Sequence, residues 1–168
     1  MHPTQRLQFR RYTMEDLMFY TSLWQHPDVV RFIGNGQKKT SEEARRSLQY
    51  WVLPGYKDGL GLHLILDAKT HQPIGHAGLV RQLVDGRTEI EIGYWLLPEY
   101  WGKGLAKEAA AACMDYGENV LGIQRFICLI HPNHPASIFV ALRIGMAYEK
   151  TSAYNGRDVL VYANTASM

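Results

Sequence analysis

The stretch YWLLPEYWGKGLAKEAAAACMDYG, Tyr94 to Gly117, decides the fold. An apolar, strand-like run ends at Leu97 and Pro98 turns the chain. An alanine-rich helical run then opens across Gly102 and Gly104, which flank Lys103. Glycine in a helical turn is disfavoured by about 0.5–1 kcal/mol relative to alanine. Bare backbone at such an opening suits an anion, because the first amides of a helix lack intrahelical acceptors and stand at the positive end of its dipole.

Working outward, the helix is expected from about Gly104 to Val120, with Leu105, Ala109, Cys113 and Tyr116 on one face and Gly122 past its end. RFICLI (Arg125–Ile130) reads as a short buried strand parallel to the one ending at Leu97, which makes a βαβ unit. Upstream, Leu60–Ala68, Pro73–Val84 and Thr88–Leu97 carry strand periodicity. Their short connections, KTHQ and DGR, predict antiparallel hairpins. The first third holds a half-buried strand over Arg6–Tyr12 and a helix capped by Thr13. HPDVV and GNG break the pattern, and a second helix opens at Thr40 or Ser41 and stops before Pro54. After the βαβ unit, HPASIFVALRIGM is a helix with Pro135 in its first turn, and two strands turn at Asn155–Gly156. The order predicts an α+β fold, a mixed and mostly antiparallel sheet of about seven strands flanked by about four helices. Residues 1–168 are expected to form one domain.

Composition narrows the partners. A net charge of +2 with dispersed basic residues argues against nucleic acid. No run approaches the ~20 apolar residues of a membrane span, and MHPTQRLQFRRYT has no signal-peptide core. Cys113 and Cys128 lie in apolar segments, so reduced thiols and a cytoplasmic chain are expected. Exposed strand edges allow a homodimer.

WGKGLA fits a phosphate site in one of three ways. A Walker loop needs GxxxxGK followed by Ser or Thr, and here the lysine stands between the glycines. A dinucleotide fingerprint needs a third glycine where Lys107 stands. A short pyrophosphate cradle needs only the amides of Gly102, Lys103, Gly104, Leu105 and Ala106 aimed at one anion, with the Lys103 charge beside them.

Strand, turn and YWGKGLAKEA together resemble the acetyl-CoA-binding motif of the GNAT acetyltransferases, Gln/Arg-x-x-Gly-x-Gly/Ala. Trp101 takes the first place, Gly104 the glycine and Ala106 the last. With LQFRRYTMEDL, GYW and HPNHPASIFVALRIGM, the likeness extends to the RimJ/RimL branch of ribosomal-protein N-acetyltransferases and covers nearly the whole chain. The resemblance implies a GNAT-like sheet in which the GYWLL strand splays from its neighbour at a bulge. Main-chain groups of Trp95, Leu96 and Leu97 would then meet the pantetheine arm, and Asn133 would bond it too.

The chemistry implied is direct attack of an amine on a thioester, which needs a base for the ammonium and an acid for the thiolate. Glu89 and Glu91 share one strand face. The family pattern points to Glu91 as base, with Glu89 as reserve. The tyrosine that many members carry is replaced by Ala141, and Ser137 matches the serine of the RimJ/RimL-like branch as candidate acid or ordinary helix-start residue. The motif His131-x-x-His134 lacks a cysteine or carboxylate to complete a zinc set, so no metal is expected. Trp24, Phe32, Tyr50 and Trp51 either shape an acceptor pocket or pack. The expectation is an acetyl-CoA-dependent N-acetyltransferase working through a ternary complex on a primary amine, a protein N-terminus or a small molecule. The alternative is a non-catalytic CoA-binding module on the same fold.

Overall fold

The computed structural model describes residues 1–164. Seven strands form one sheet in the order β1-β2-β3-β4-β5-β7-β6. They are β1 (Leu7–Arg11), β2 (Gly61–Asp67), β3 (Pro73–Val84), β4 (Arg87–Leu96), β5 (Ile127–Ile130), β6 (Met146–Tyr154) and β7 (Arg157–Asn164). All neighbours are antiparallel except β4 and β5. The helices are α1 (Leu17–Gln25), α2 (Pro27–Val30), α3 (Ser41–Ser47), α4 (Leu105–Asn119) and α5 (Pro135–Arg143).

The β3–β4 hairpin turns on Asp85–Gly86 and the β6–β7 hairpin on Asn155–Gly156, each with positive φ at both positions. Such turns match the right-handed twist of the strands they join. Thr40 and Glu43 form a reciprocal capping box at the start of α3, each side chain bonding the other's amide. HPDVV, expected to be only a break, forms the single-turn α2: His26 caps it by accepting from the Asp28 amide, and Pro27 stands where no amide is needed. That turn is the helix beyond the four expected. The second helix is also less regular than its periodicity suggests, since α3 gives way to a π-helical turn over Leu48–Val52.

Two layers of core flank the sheet. Ile92, Leu96, Ala109, Cys113 and Phe126 belong to the cluster under α4 and α5, and Tyr20, Leu48, Leu62 and Leu64 to the cluster under α1 and α3. The alanines of α4 let it press closely on the sheet. A Cβ on Gly117 would stand 2.5 Å from the Phe126 ring. Both cysteines are free and buried. No helix among the described residues is long and apolar enough to cross a membrane.

Candidate active site

β4 and β5 are in register at one pair only, Glu91 opposite Ile127, and then part. β3 follows β4 without a register shift from Val84 opposite Arg87 to Gly75 opposite Leu96, so no bulge lies on that side. The splay comes from β5 leaving. The Leu97 amide donates to the Ile74 carbonyl at 2.9 Å. Main-chain groups alternate along a strand, so Trp95 and Leu97 bond toward β3 while Tyr94 and Leu96 turn theirs to the gap. Of the three expected to present backbone there, Leu96 does so. Its carbonyl already accepts from the Trp101 indole at 2.8 Å, a contact that holds the turn against the strand end.

Gly102 and Gly104 both have left-handed φ, 72° and 76°, and Gly104 is the residue from which α4 starts. A Cβ on Gly102 would meet nothing within 4 Å, and one on Gly104 only Arg6 Nη2 at 3.6 Å. The glycines therefore answer a backbone requirement, and the space above them is open. Lys103 is exposed, its ammonium over the Tyr100 ring at 5.4 Å. Arg6, which no motif in the sequence singles out, donates to the Lys103 carbonyl at 2.9 Å and pairs with Glu108 at 2.6 Å. It ties β1 to the first turns of α4. Leu105 is a core residue and Ala106 is half-buried, so those positions offer amides and little else.

A cleft of about 360 Å³ passes through the gap and touches both faces of β4: Glu91, Gly93 and Trp95 from one, Tyr94 from the other. Glu91 is half-buried at its base, and Gln82 Nε2 donates to its Oε2 at 2.7 Å. Desolvation pushes the Glu91 carboxyl up to about 7, against the opposing pull of Gln82 and the Leu129 amide. Glu89, two residues earlier on the same face, is bound by Arg125 at 3.0 Å, and Arg125 also holds Glu149 at 3.0 Å. Only Glu91 of the two lines the cleft. His76 lines it too, but burial pushes its imidazole down to about 3 and its Nδ1 lies 3.0 Å from the Tyr12 hydroxyl. It stays neutral and is a weak base.

Across the gap, the Tyr94 hydroxyl is 2.9 Å from Ser137 Oγ. Burial raises the phenol well above its usual range, so it is a neutral donor. In the sequence Tyr94 is one position of an apolar, strand-like run. Its partner, 43 positions on, carries no local signal. Asn133 is exposed, its main-chain amide donating to His131 Nδ1 at 3.0 Å. His131 and His134 both lie against the Phe32 ring, at 5.3 and 4.4 Å. Trp24, Phe32 and Trp51 line the cleft, whereas Tyr50 points to solvent.

This combination gives a cleft between two parted strands with a carboxylate at their junction and open backbone at the start of α4. Residues 6–147 match the acetyltransferase (GNAT) domain, and the chain belongs to that family. The uncharacterized protein YkkB of Bacillus subtilis (strain 168) is 34% identical over 166 residues, covering 95% of this chain and 92% of that protein. Two solved structures share the fold. One is RimL, a ribosomal L7/L12 alpha-N-protein acetyltransferase in complex with coenzyme A. It has a TM-score of 0.80 at 21% identity, covering 97% of this chain and 96% of that one. The other is AAC(6')-Ib in complex with ribostamycin and coenzyme A. It has a TM-score of 0.79 at 15% identity, covering 95% and 93%.

Proposed function

We propose that this protein transfers an acetyl group from acetyl-CoA to a primary amine by direct attack in a ternary complex. The observation that carries the reading is the position of Glu91, at the one residue pair where β4 and β5 still meet before the cleft opens. The open space over Gly102 and Gly104 fits a pyrophosphate, with the amides of Gly102 through Ala106 and the Lys103 charge to hold it. Leu96 and Asn133 are the pantetheine contacts. Coenzyme A complexes of RimL and AAC(6')-Ib support this use of the fold.

Acetyl-CoA supplies the thioester. Glu91 takes the proton that the attacking ammonium loses, directly or through water. The new C–N bond forms as the C–S bond breaks, and the Tyr94–Ser137 hydroxyl pair delivers a proton to the departing thiolate. A pair of linked hydroxyls speaks for chemistry over mere CoA binding, as does a carboxylate poised near neutrality. The serine supports placing the protein near the RimJ/RimL-like branch.

The test is thiol release from acetyl-CoA with a panel of amines. Wild type is expected to show kcat/KM rising with pH through about 7 as Glu91 ionises. A second step at the amine's own pKa, about 8–10, is expected to move with the amine chosen. Glu91→Gln is expected to lose about 10²–10⁴-fold in kcat/KM with acetyl-CoA binding intact. Full activity in that variant would remove Glu91 from the role, and failure of the folded wild type to bind acetyl-CoA in a calorimeter would remove the reading.

A further inference from the structure

Besides His76 and His131, four charged side chains line the cleft: Lys39, Glu91, Arg157 and Asp158. Glu91 is taken up by the reaction, and the other three sum to one positive charge. Neither Lys39 nor Arg157 makes a salt bridge among the described residues. The Lys39 ammonium lies 4.4 Å over the Trp24 ring, and Trp24 meets Trp95 edge-on at 4.7 Å. The cleft wall is thus an aromatic surface with a cation on its outer end. Arg157 of the β6–β7 hairpin also lines the cleft and donates to the Asn35 carbonyl at 2.9 Å. That contact joins the loop after α2 to the other end of the sheet. A cleft of about 360 Å³ is of the size that takes a small molecule. On the floor, Gly93 has ordinary extended backbone, and a Cβ there would meet only Leu62 at 3.8 Å. Neither backbone nor packing requires glycine, and its lack of a side chain leaves room between Glu91 and Trp95.

A polyamine or aminoglycoside brings further ammonium groups, each needing a carboxylate, and beyond Glu91 this cleft offers Asp158 alone against the two cations Lys39 and Arg157. From these features we infer that the acceptor is a small amine with an aromatic or apolar body and a carboxylate, the body on Trp24 and Trp95 and the carboxylate between Lys39 and Arg157. This rests on the acetyltransferase reading above.

The test compares phenylalanine with phenethylamine, which lacks the carboxylate, with spermidine, and with a short peptide whose N-terminus is phenylalanine. Phenylalanine is expected to exceed phenethylamine and spermidine in kcat/KM by at least about tenfold, the worth of one charge-assisted hydrogen bond. Lys39→Met and Arg157→Met are each expected to erase about tenfold of the phenylalanine-over-phenethylamine ratio, the loss falling on the KM for phenylalanine. The Lys39 ammonium lies over the Trp24 ring and makes no hydrogen bond or salt bridge among the described residues, so Lys39→Met keeps the test valid if the Arg157 variant loosens the rim. The inference falls if spermidine, phenethylamine or the peptide is preferred, or if the preference survives in both variants. Tryptophan-fluorescence titration with coenzyme A present separates the two readings. Tighter binding of phenylalanine than phenethylamine without turnover would overturn the transferase chemistry and keep the charge selection, and equal or absent binding would overturn the selection.

Discussion

Gln82 stands between two partners whose demands fix its orientation. Its amide donates to Glu91 at 2.7 Å and its carbonyl accepts from the Tyr154 hydroxyl at 2.5 Å. A flipped amide would set a carbonyl against a carboxylate and leave the phenol without its acceptor. Tyr154 is therefore a positioning residue for Glu91, reached from a strand 72 positions on from Gln82. Tyr154→Phe is expected to leave the fold intact and move the rising limb of the pH–rate profile up by at most about one unit. An unmoved limb would show that Gln82 keeps its pose without the phenol. Stability carries the same signature. The Glu91 value lies above its ordinary 4.5, so its contribution is present below that pH and is lost as pH rises toward about 7. Glu91→Gln is expected to flatten that stretch of the stability curve.

At the scale of elements, the start of α4 shows why a helix accepts poor helix formers. Leu97 is extended, a 3₁₀ turn runs over Pro98–Tyr100, and positive φ at Gly102 and Gly104 turns the chain into α4. A Cβ has space at both glycines, so the penalty for alanine is conformational, about 1–2 kcal/mol per left-handed residue. Asparagine tolerates that region better. Gly104→Asn is therefore expected to unfold closer to wild type than Gly104→Ala, yet to bind acetyl-CoA more weakly than wild type because its side chain fills the cradle. Thermal unfolding and calorimetry on the same two variants read the two effects apart. Equal affinity in all three proteins would show that the glycines serve the turn alone. The periodicity and turn residues anticipated the strand, turn and helix, and the resemblance implied main-chain groups of Trp95, Leu96 and Leu97 at the gap. It did not anticipate which amide and carbonyl pairs face the gap, because that follows from the β3–β4 register.

At the scale of the molecule, Arg125 fastens the two halves of the sheet where the splay begins. It binds Glu89 of β4 and Glu149, which sits at the irregularity in β6 where pairing shifts between Tyr148 and Lys150. Arg125 holds the Glu149 carboxyl below its usual range, so that part of the stability is present above the usual carboxylate pKa and lost as pH falls through the lowered one. Arg125→Met leaves Glu89 buried without its partner. With Arg125 one-third exposed, the expected loss is about 2 kcal/mol, near 4–8 °C in Tm. A smaller drop at pH 4 than at pH 7 would confirm the electrostatic origin, and a drop independent of pH would assign it to packing.

The sequence by itself determined the order of elements, the hairpins, the strand–turn–helix with its two glycines, and that Glu89 and Glu91 share a face. These follow from interactions within a few residues: periodicity, turn chemistry and backbone conformation. Only the tertiary structure decided that Arg125 occupies Glu89 and leaves Glu91 to the cleft, that Tyr94 meets Ser137, and that Lys39 and Arg157 rim the same opening. Period two assigns a face but no partner. The partners come from the segment before β5, from α5, from β7 and from the loop before α3, whose approach is set by packing across the sheet, an interaction that no local window of sequence contains.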